Sequence, residues 1–148
     1  MKPILFLDID GVLNSRKGWA RDKPKTGKYL TAENVAELRA LLEALPDLRI
    51  VISSTWRKCM DADELLAIFK AHGLPAERVI GMTPIRFSDR LRGHEIQEWL
   101  DANPGHDRFV ILDDDSDMAH LMPHLVQTSF EDGLTREKAE EVIRRLKP

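Results

Sequence analysis

Residues 4–14 read ILFLDIDGVLN, an apolar run that ends in two aspartates and a glycine. On a β-strand, residues two apart project to the same side, so Asp8 and Asp10 can converge on one point. Two carboxylates held that close repel each other unless a cation or a shared proton offsets their charge. Gly11 lets the backbone turn sharply after them. The stretch therefore predicts a strand with an acidic site at its carboxyl end, and an ordinary Asp-Gly turn is the alternative.

The rest of the chain alternates apolar strands with amphipathic helices. The predicted strands cover residues 4–7, 49–53, 79–80, 109–112 and 125–128. Helices are predicted after the capping residues Thr31, Asp61 and Thr135, over about residues 89–102, and as a short helix over residues 118–122. This alternation predicts an α/β fold with a parallel sheet and helices on both faces. Since 148 residues carry no linker or repeat, we expect one domain over residues 1–148.

Composition restricts the class of protein further. The chain is 43% hydrophobic and 32% charged, a balance typical of soluble globular proteins, and no apolar run is long enough to span a membrane. The amino terminus shows no signal-peptide pattern. Cys59 is the only cysteine, which excludes an internal disulfide and a multi-cysteine zinc site, so we expect a cytoplasmic protein.

Residues 14–30 form a basic stretch directly after the acidic strand end. They contain six Lys or Arg residues against the single acid Asp22, whereas the whole chain has a net charge of −3. Gly18, Pro24 and Gly27 interrupt the stretch and no periodicity is present, so we predict a long loop. Its charge favours an anionic substrate, and a solvated surface loop is the alternative.

Acidic side chains gather where the predicted strands end. In parallel α/β sheets, ligands bind beyond the carboxyl ends of the strands. The carboxylates that can face one cleft there are Asp8, Asp10, Asp113, Asp114 and Asp117. So many anions together call for a hard divalent cation, and Mg²⁺ prefers carboxylate oxygens, water and phosphate. Taken alone, residues 113–117 could equally be a solvated acidic loop.

A third strand end carries hydroxyl groups instead of acids. The run Ser53-Ser54-Thr55 offers hydroxyl and backbone N–H donors, which suit phosphate oxygens. A metal site, phosphate donors and a spare carboxylate together indicate phosphoryl transfer, in which an aspartate can serve as the covalent nucleophile.

Several motifs together resemble those of the haloacid dehalogenase-like superfamily of phosphohydrolases. DIDGV (8–12) looks like its first motif, the apolar strand ending in Ser53 like its second, and Asp113-Asp114 like its fourth. Other segments resemble the small phosphatase-type domain of Swiss Army knife RNA-repair proteins, namely SSTWR (53–57), RGHEI (92–96), ILDDDSDM (111–118) and GLT (133–135). The resemblance implies a Rossmann-like sheet of about five strands in the order 3-2-1-4-5.

The resemblance also implies roles for the first two motifs. Asp8 would attack phosphorus to form an aspartyl-phosphate and would bind Mg²⁺. Asp10 would protonate the leaving oxygen, then activate water, and its backbone carbonyl would contact the metal. Ser53 would hold the transferring phosphoryl group, with Ser54 as the alternative, and Gly11 would lie beside them in substrate binding.

The later motifs would supply metal ligands and a positive charge. Asp113 and Asp114 would bind or orient Mg²⁺, with Asp117 in support. The superfamily's third motif usually supplies a lysine, yet no lysine lies between residues 70 and 138. Arg92, at a predicted helix start, is the expected substitute and Arg90 the second choice, although an arginine's planar fork differs from a lysine's point charge.

The spacing of the motifs bears on the substrate. Residues 14–30 and 81–89 are both too short to form a folded cap domain, so the basic loop takes the place of a cap. An open cleft excludes water poorly, so a large substrate or a partner could complete it, and the basic loop then favours RNA or DNA ends. The net charge argues against extended nucleic-acid binding, and a nucleotide or other small-molecule phosphatase is the alternative.

Two other functional classes are the alternatives to an enzyme. A receiver-type phospho-acceptor needs its aspartate after the third strand, where the chain reads Val79-Ile80-Gly81. A non-catalytic phosphate-binding or interaction domain would be indicated by a missing nucleophile or missing metal ligands, and neither is missing from the sequence.

Overall fold

β1 (Ile4–Leu7) lies at the centre of a five-stranded parallel sheet in the order β3-β2-β1-β4-β5. This computed structural model describes residues 1–85, 89 and 91–148. The other strands are β2 (Arg49–Ile52), β3 (Val79–Met82), β4 (Phe109–Asp113) and β5 (Leu125–Gln127). The helices are α1 (Arg16–Asp22), α2 (Ala32–Ala44), α3 (Ala62–Ala71), α4 (Arg92–Ala102) and α5 (Arg136–Leu146). The α/β class and the strand order 3-2-1-4-5 are therefore confirmed.

The two faces of the sheet are covered by different helices. Leu5 and Leu7 of β1 pack into a core cluster with α2, α3 and α5. Ile4 and Phe6 point to the opposite face and pack with Ile96 and other residues of α4. All four β1 side chains are fully buried, which explains why the strand is a continuous apolar run instead of an alternating one. The predicted placement of helices on both faces is confirmed.

The register of the sheet brings three strand ends to one level. Leu7 pairs with Ile52 of β2 and with Leu112 of β4, all in parallel. The next residues are Asp8, Ser53 and Asp113, so these three lie side by side at the carboxyl edge of the sheet. The Asp8 N–H donates to the Leu112 carbonyl at 3.0 Å, and the Ser53 N–H donates to the Leu7 carbonyl at 2.8 Å. These two hydrogen bonds hold the backbone of Asp8 and Ser53 against the neighbouring strands.

The predicted long loop over residues 14–30 is wrong in its first half, because α1 occupies Arg16–Asp22. The Ser15 hydroxyl caps this helix by accepting a hydrogen bond from the Gly18 N–H at 3.1 Å. The Arg16 N–H also donates to the Phe130 carbonyl at 2.8 Å. Seven residues are too few to show a periodic pattern, and the anchoring contact comes from a distant part of the chain.

Other predicted boundaries shift by a few residues. β2 ends one residue earlier than predicted, β3 extends to Met82, and the short helix predicted over residues 118–122 is a 3₁₀ segment, Ala119–His124. Helix α4 begins at Arg92, later than the predicted residue 89, and the Asp117 side chain accepts a hydrogen bond from the N–H of this first residue. None of the helices in the described part of the chain is long and apolar enough to cross a membrane.

Candidate active site

Three carboxylates meet at the carboxyl edge of the sheet. Asp8, Asp113 and Asp114 each offer an oxygen, and these oxygens lie within 4.8 Å of one another. Asp8 is 6% exposed and Asp113 1% exposed. Gly11 makes room for the third: a Cβ there would lie 2.3 Å from the Asp114 Oδ2, and the Gly11 φ of +80° is itself unfavourable for other residues. The predicted grouping of Asp8 with Asp113 and Asp114 is present in the structure.

Burial makes this group of carboxylates electrostatically unfavourable. Burial raises the pKa of Asp8 to about 7. Burial raises the pKa of Asp113 to about 9, the charge of Asp8 adds to that rise, and Arg92 opposes both shifts. The Asp113 Oδ2 is buried and has no hydrogen-bond partner among the described residues. A buried carboxylate oxygen that accepts no hydrogen bond and lies beside two other carboxylates fits a hard divalent cation such as Mg²⁺.

Arg92 supplies the positive charge next to the acids. Its Nη1 lies 3.5 Å from the Asp8 Oδ1 and 3.7 Å from the Asp113 Oδ2, and it donates a hydrogen bond to the Ser53 carbonyl. Burial alone would lower the pKa of Arg92, but the carboxylates of Asp113 and Asp8 raise it above its ordinary value. The alternative residue, Arg90, lies outside the described residues.

The two serines after β2 have different surroundings. The Ser54 hydroxyl accepts a hydrogen bond from the Trp56 N–H at 3.2 Å and so caps the 3₁₀ turn Thr55–Lys58. The Ser53 hydroxyl is buried and has no hydrogen-bond partner among the described residues. Of the two alternatives, Ser53 is thus the one whose hydroxyl makes no hydrogen bond among the described residues, which favours it as the phosphate contact.

Asp10 lies beside the three carboxylates and is not a member of their group. Its Oδ1 accepts a hydrogen bond from the Trp56 indole N–H at 3.0 Å and another from the Asn14 side-chain amide at 2.8 Å. Asn14 is itself oriented, because its Oδ1 accepts the Gly11 N–H at 3.0 Å. The Asp10 carboxylate is thus held in one orientation by two donors on the same oxygen.

Asp117 lies in a supporting position at the start of α4. Its Oδ2 accepts from the Arg92 N–H at 3.3 Å, and its carbonyl accepts from the Gly93 N–H at 3.0 Å. These bonds satisfy donors that a helix amino terminus leaves free. Asp117 therefore fixes the helix that presents Arg92, and it does not join the carboxylate group.

A buried ion pair behind the site was missed from the sequence. Arg57 Nη2 lies 2.6 Å from Glu95 Oε1, and the two side chains are 3% and 5% exposed. Arg57 also donates to the carbonyls of Ser54, at 2.5 Å, and Thr83, at 3.1 Å. Burial lowers the pKa of Arg57, and Glu95 opposes this shift. The pair joins the ends of β2 and β3 to α4.

Sequence reasoning also missed the two donors that hold Asp10. Trp56 and Asn14 reach it across two different loops, and such contacts follow no periodic pattern. The available signals were weak: Asn14 follows Asp10 by four residues, and Trp56 lies within the motif SSTWR at residues 53–57.

Much of the charge in the basic stretch is paired away from the acids of the site. Arg16 lies 3.0 Å from Glu131, Lys17 lies 2.6 Å from Asp132, and these side chains are exposed. Arg21 pairs with both Asp22, at 2.7 Å, and Glu33, at 2.6 Å. These acids reduce the positive charge that Arg16, Lys17 and Arg21 can offer to an anionic substrate. The expectation that the stretch attracts such a substrate therefore concerns its other lysines, Lys23, Lys25 and Lys28.

Comparisons with known proteins agree with this architecture. A family model described as the HAD (haloacid dehalogenase-like) domain in Swiss Army Knife RNA repair proteins matches residues 4–139. No curated protein matches the sequence. The solved HAD domain of effector protein Lem4 from Legionella pneumophila is similar in structure, with a TM-score of 0.59 and 14% identity over 98% of this chain and 95% of that one. At that identity the similarity concerns the fold alone.

Proposed function

Because this chain belongs to the family of HAD domains found in Swiss Army Knife RNA repair proteins, we propose that it is a Mg²⁺-dependent phosphomonoester hydrolase that forms an aspartyl-phosphate. The observation that carries the proposal is the buried group of Asp8, Asp113 and Asp114 with Arg92 beside it. The family supports a phosphatase-type function in general. The metal, the intermediate and the substrate are the parts that we add.

The metal would be held by the carboxylates of Asp8, Asp113 and Asp114 together with the backbone carbonyl of Asp10. When bound there, Mg²⁺ offsets the charge of the carboxylates and of the phosphate oxygens, which lets an anionic phosphate approach another anion. The Asp113 Oδ2 supports this assignment, because no described group donates a hydrogen bond to it and its ion-pair partner Arg92 lies 3.7 Å away.

Asp8 acts as the nucleophile. A carboxylate oxygen of Asp8 forms a bond to phosphorus while the ester P–O bond breaks, and the phosphoryl group is transferred to Asp8. The Arg92 guanidinium neutralises charge on the transferring group, and the Ser53 hydroxyl donates to one of its oxygens. Gly11 contributes space, since its N–H is already donated to Asn14.

Asp10 acts as the general acid and then as the general base. Because its Oδ1 accepts two N–H bonds, we assign the transferable proton to Oδ2. This proton passes to the oxygen of the leaving alcohol. In the second step Asp10 takes a proton from water, the water oxygen attacks phosphorus, and inorganic phosphate leaves as the Asp8 carboxylate is restored.

The substrate is a phosphomonoester on a large molecule, with RNA or DNA ends as the first candidates. Only α1 and loop segments separate β1 from α2, so the cleft is open on the side where a cap would close it. The description of the family as RNA repair proteins supports nucleic-acid ends. Nucleotides and other small phosphomonoesters are the alternative.

Hydrolysis of para-nitrophenyl phosphate with and without Mg²⁺ tests the reaction. We expect Mg²⁺-dependent turnover that falls at least about 10³-fold in Asp8→Asn, because the amide cannot act as the nucleophile. Asp115→Asn is the matched control, since Asp115 is an exposed neighbour of the carboxylate group and should retain activity. Turnover that survives Asp8→Asn, or that persists in a chelator, would contradict the proposal.

A further inference from the structure

A cavity of about 620 Å³ opens beside Asp10. The segment before α2 forms one wall with Lys28, and the 3₁₀ turn after β2 forms another with Thr55, Trp56 and Lys58. Its size is within the range of roughly 300–1,000 Å³ that is common for small-molecule sites. Asp8 and Asp113 do not line it, so the cavity is adjacent to the carboxylate group and distinct from it.

The position of Asp10 determines which part of a substrate enters this cavity. Asp10 lies in the cavity wall and is the group to which we assign protonation of the leaving oxygen. The phosphoryl group must at that moment contact Asp8, and the leaving group must extend away from Asp8 past Asp10. On the proposed mechanism, the cavity is therefore the space into which the leaving group extends.

Two lysines line the cavity, although it lies next to several acidic residues. Lys28 and Lys58 both line it and both are exposed. Lys28 lies 3.8 Å from Glu64, with both side chains about half exposed, and such a pair is weak. Lys58 has no ion pair among those found in the described part of the chain. Arg16 and Lys17 form closer ion pairs, at 3.0 Å and 2.6 Å, and neither residue lines the cavity.

We propose that Lys28 and Lys58 bind a second phosphate, one that belongs to the leaving group of the substrate. This inference rests on the proposed phosphatase function and narrows its substrate. The substrate is then a phosphomonoester that carries another phosphate, as in a nucleoside bisphosphate or at the end of a nucleic-acid strand. Two ammonium groups suit a phosphate as point charges, and their charge-assisted hydrogen bonds are among the stronger ones in proteins. The second phosphate is bound and not cleaved.

A pair of substrates tests this subsite. The kcat/KM of a 3′-phosphorylated dinucleotide, which contains an internucleotide phosphate, is compared with that of the matching nucleoside 3′-monophosphate. We expect the wild-type protein to favour the dinucleotide about 10-fold or more, and the preference to shrink as salt is raised. A nucleoside 3′,5′-bisphosphate serves as a third substrate. It shows whether a terminal phosphate on a small molecule satisfies the same lysines.

Two double variants separate the subsite from general charge. In Lys28→Gln/Lys58→Gln, the ratio of the two kcat/KM values should fall to about 1. Lys23→Gln/Lys25→Gln is the matched control, because these exposed lysines lie in the same basic stretch as Lys28 but do not line the cavity, and it should keep the wild-type ratio. All four lysines are exposed, so thermal melts should confirm that both variants fold.

The possible failures can be told apart. If the wild-type protein hydrolyses the monophosphate and the dinucleotide equally well, or if Lys28→Gln/Lys58→Gln keeps the preference, the second-phosphate subsite is wrong and the phosphatase stands. If the wild-type protein hydrolyses no phosphomonoester, the proposed function itself fails.

Discussion

At the scale of single residues, Asp10 shows how an acid is given one orientation. Two N–H donors, from Trp56 and Asn14, share its Oδ1 and leave Oδ2 free of protein hydrogen bonds among those found in the described part of the chain. A general acid must present its proton to one point in space, and fixing one oxygen selects the other. On the proposed mechanism, Trp56 is therefore a positioning residue that acts through its indole N–H.

Trp56→Phe should lower kcat about 10-fold or more and leave KM little changed. The ring still fills the buried position, but the N–H donor to Asp10 is lost. The loss should be larger for an alkyl phosphate than for para-nitrophenyl phosphate, because nitrophenolate leaves without a proton. Steady-state kinetics with both substrates measures this difference.

Trp99→Phe is the control for the loss of an indole. Trp99 packs edge-on against Phe6, with ring centroids 5.5 Å apart, on the face of the sheet covered by α4. This variant should affect both substrates equally. An equal loss for both substrates in Trp56→Phe would show that Trp56 acts only through packing.

The sequence allowed the site's main residues to be predicted for a simple geometric reason. Asp8, Ser53 and Asp113 each follow an apolar strand, and parallel strands in register bring their ends together. Trp56 and Asn14 could not be predicted in the same way. Their contacts depend on how two irregular loops are positioned, and no repeating pattern encodes that.

At the scale of elements, helix α4 packs very closely against the backbone of the segment that follows β4. A Cβ at Gly93 would lie 2.0 Å from the Met118 carbonyl oxygen, which is a backbone atom and cannot rotate away. The same turn of α4 is held by Asp117 and presents Arg92 to the carboxylates. Gly93 therefore sets the distance at which Arg92 meets Asp8.

Gly93→Ala should destabilise the protein by about 1–3 kcal/mol and reduce activity together with stability, because α4 must move away from Met118. Urea unfolding and Mg²⁺-dependent hydrolysis measure the two effects. Gly27→Ala is the matched control: no atom lies within 4 Å of its added Cβ, so its stability should change by less than about 0.5 kcal/mol. If Gly93→Ala is as stable as the wild-type protein, the packing of Gly93 against the Met118 carbonyl is not tight.

Helix α1 illustrates what the sequence could not reveal at this scale. The longer helices were predicted from their apolar faces and capping residues, and Asp61 and Thr135 do cap α3 and α5. Thr31 stands at the cap position of α2, but its side chain makes no capping bond. α1 has no apolar face of its own, and its ion pairs to Glu131 and Asp132 join segments more than a hundred residues apart.

At the scale of the whole molecule, the carboxylate group couples stability to pH. Burial raises the pKa of Asp8 to about 7 and that of Asp113 to about 9, from 3.8 for an ordinary aspartate. The folded, metal-free protein then binds protons that the unfolded chain releases. Its free energy of unfolding should therefore fall as pH rises from about 4 to about 9, since each pKa unit is worth ~1.4 kcal/mol.

Thermal melts in a chelator at pH 5, 7 and 9 measure this dependence. We expect Tm to fall with pH in the wild-type protein and to fall less in Asp113→Asn, whose amide carries no charge to bury. Mg²⁺ should raise Tm most at pH 9, because there it replaces the protons that the carboxylates have lost. Asp115→Asn should follow the wild-type slope. If Tm falls with pH equally steeply in Asp113→Asn and in the wild-type protein, the buried carboxylates of Asp8 and Asp113 are not the cause of the pH dependence.

The central position of β1 has a consequence for how the chain acquires its site. β1 pairs with the strands that begin at residues 49 and 109, so its neighbours are distant in sequence. Topologies rich in such distant pairings fold more slowly than those built from local ones. During synthesis, Asp8 emerges before Asp113 and Asp114 and stays without these companions until their segment has been made. Hydrolytic competence would therefore appear only when the sheet is assembled through β4.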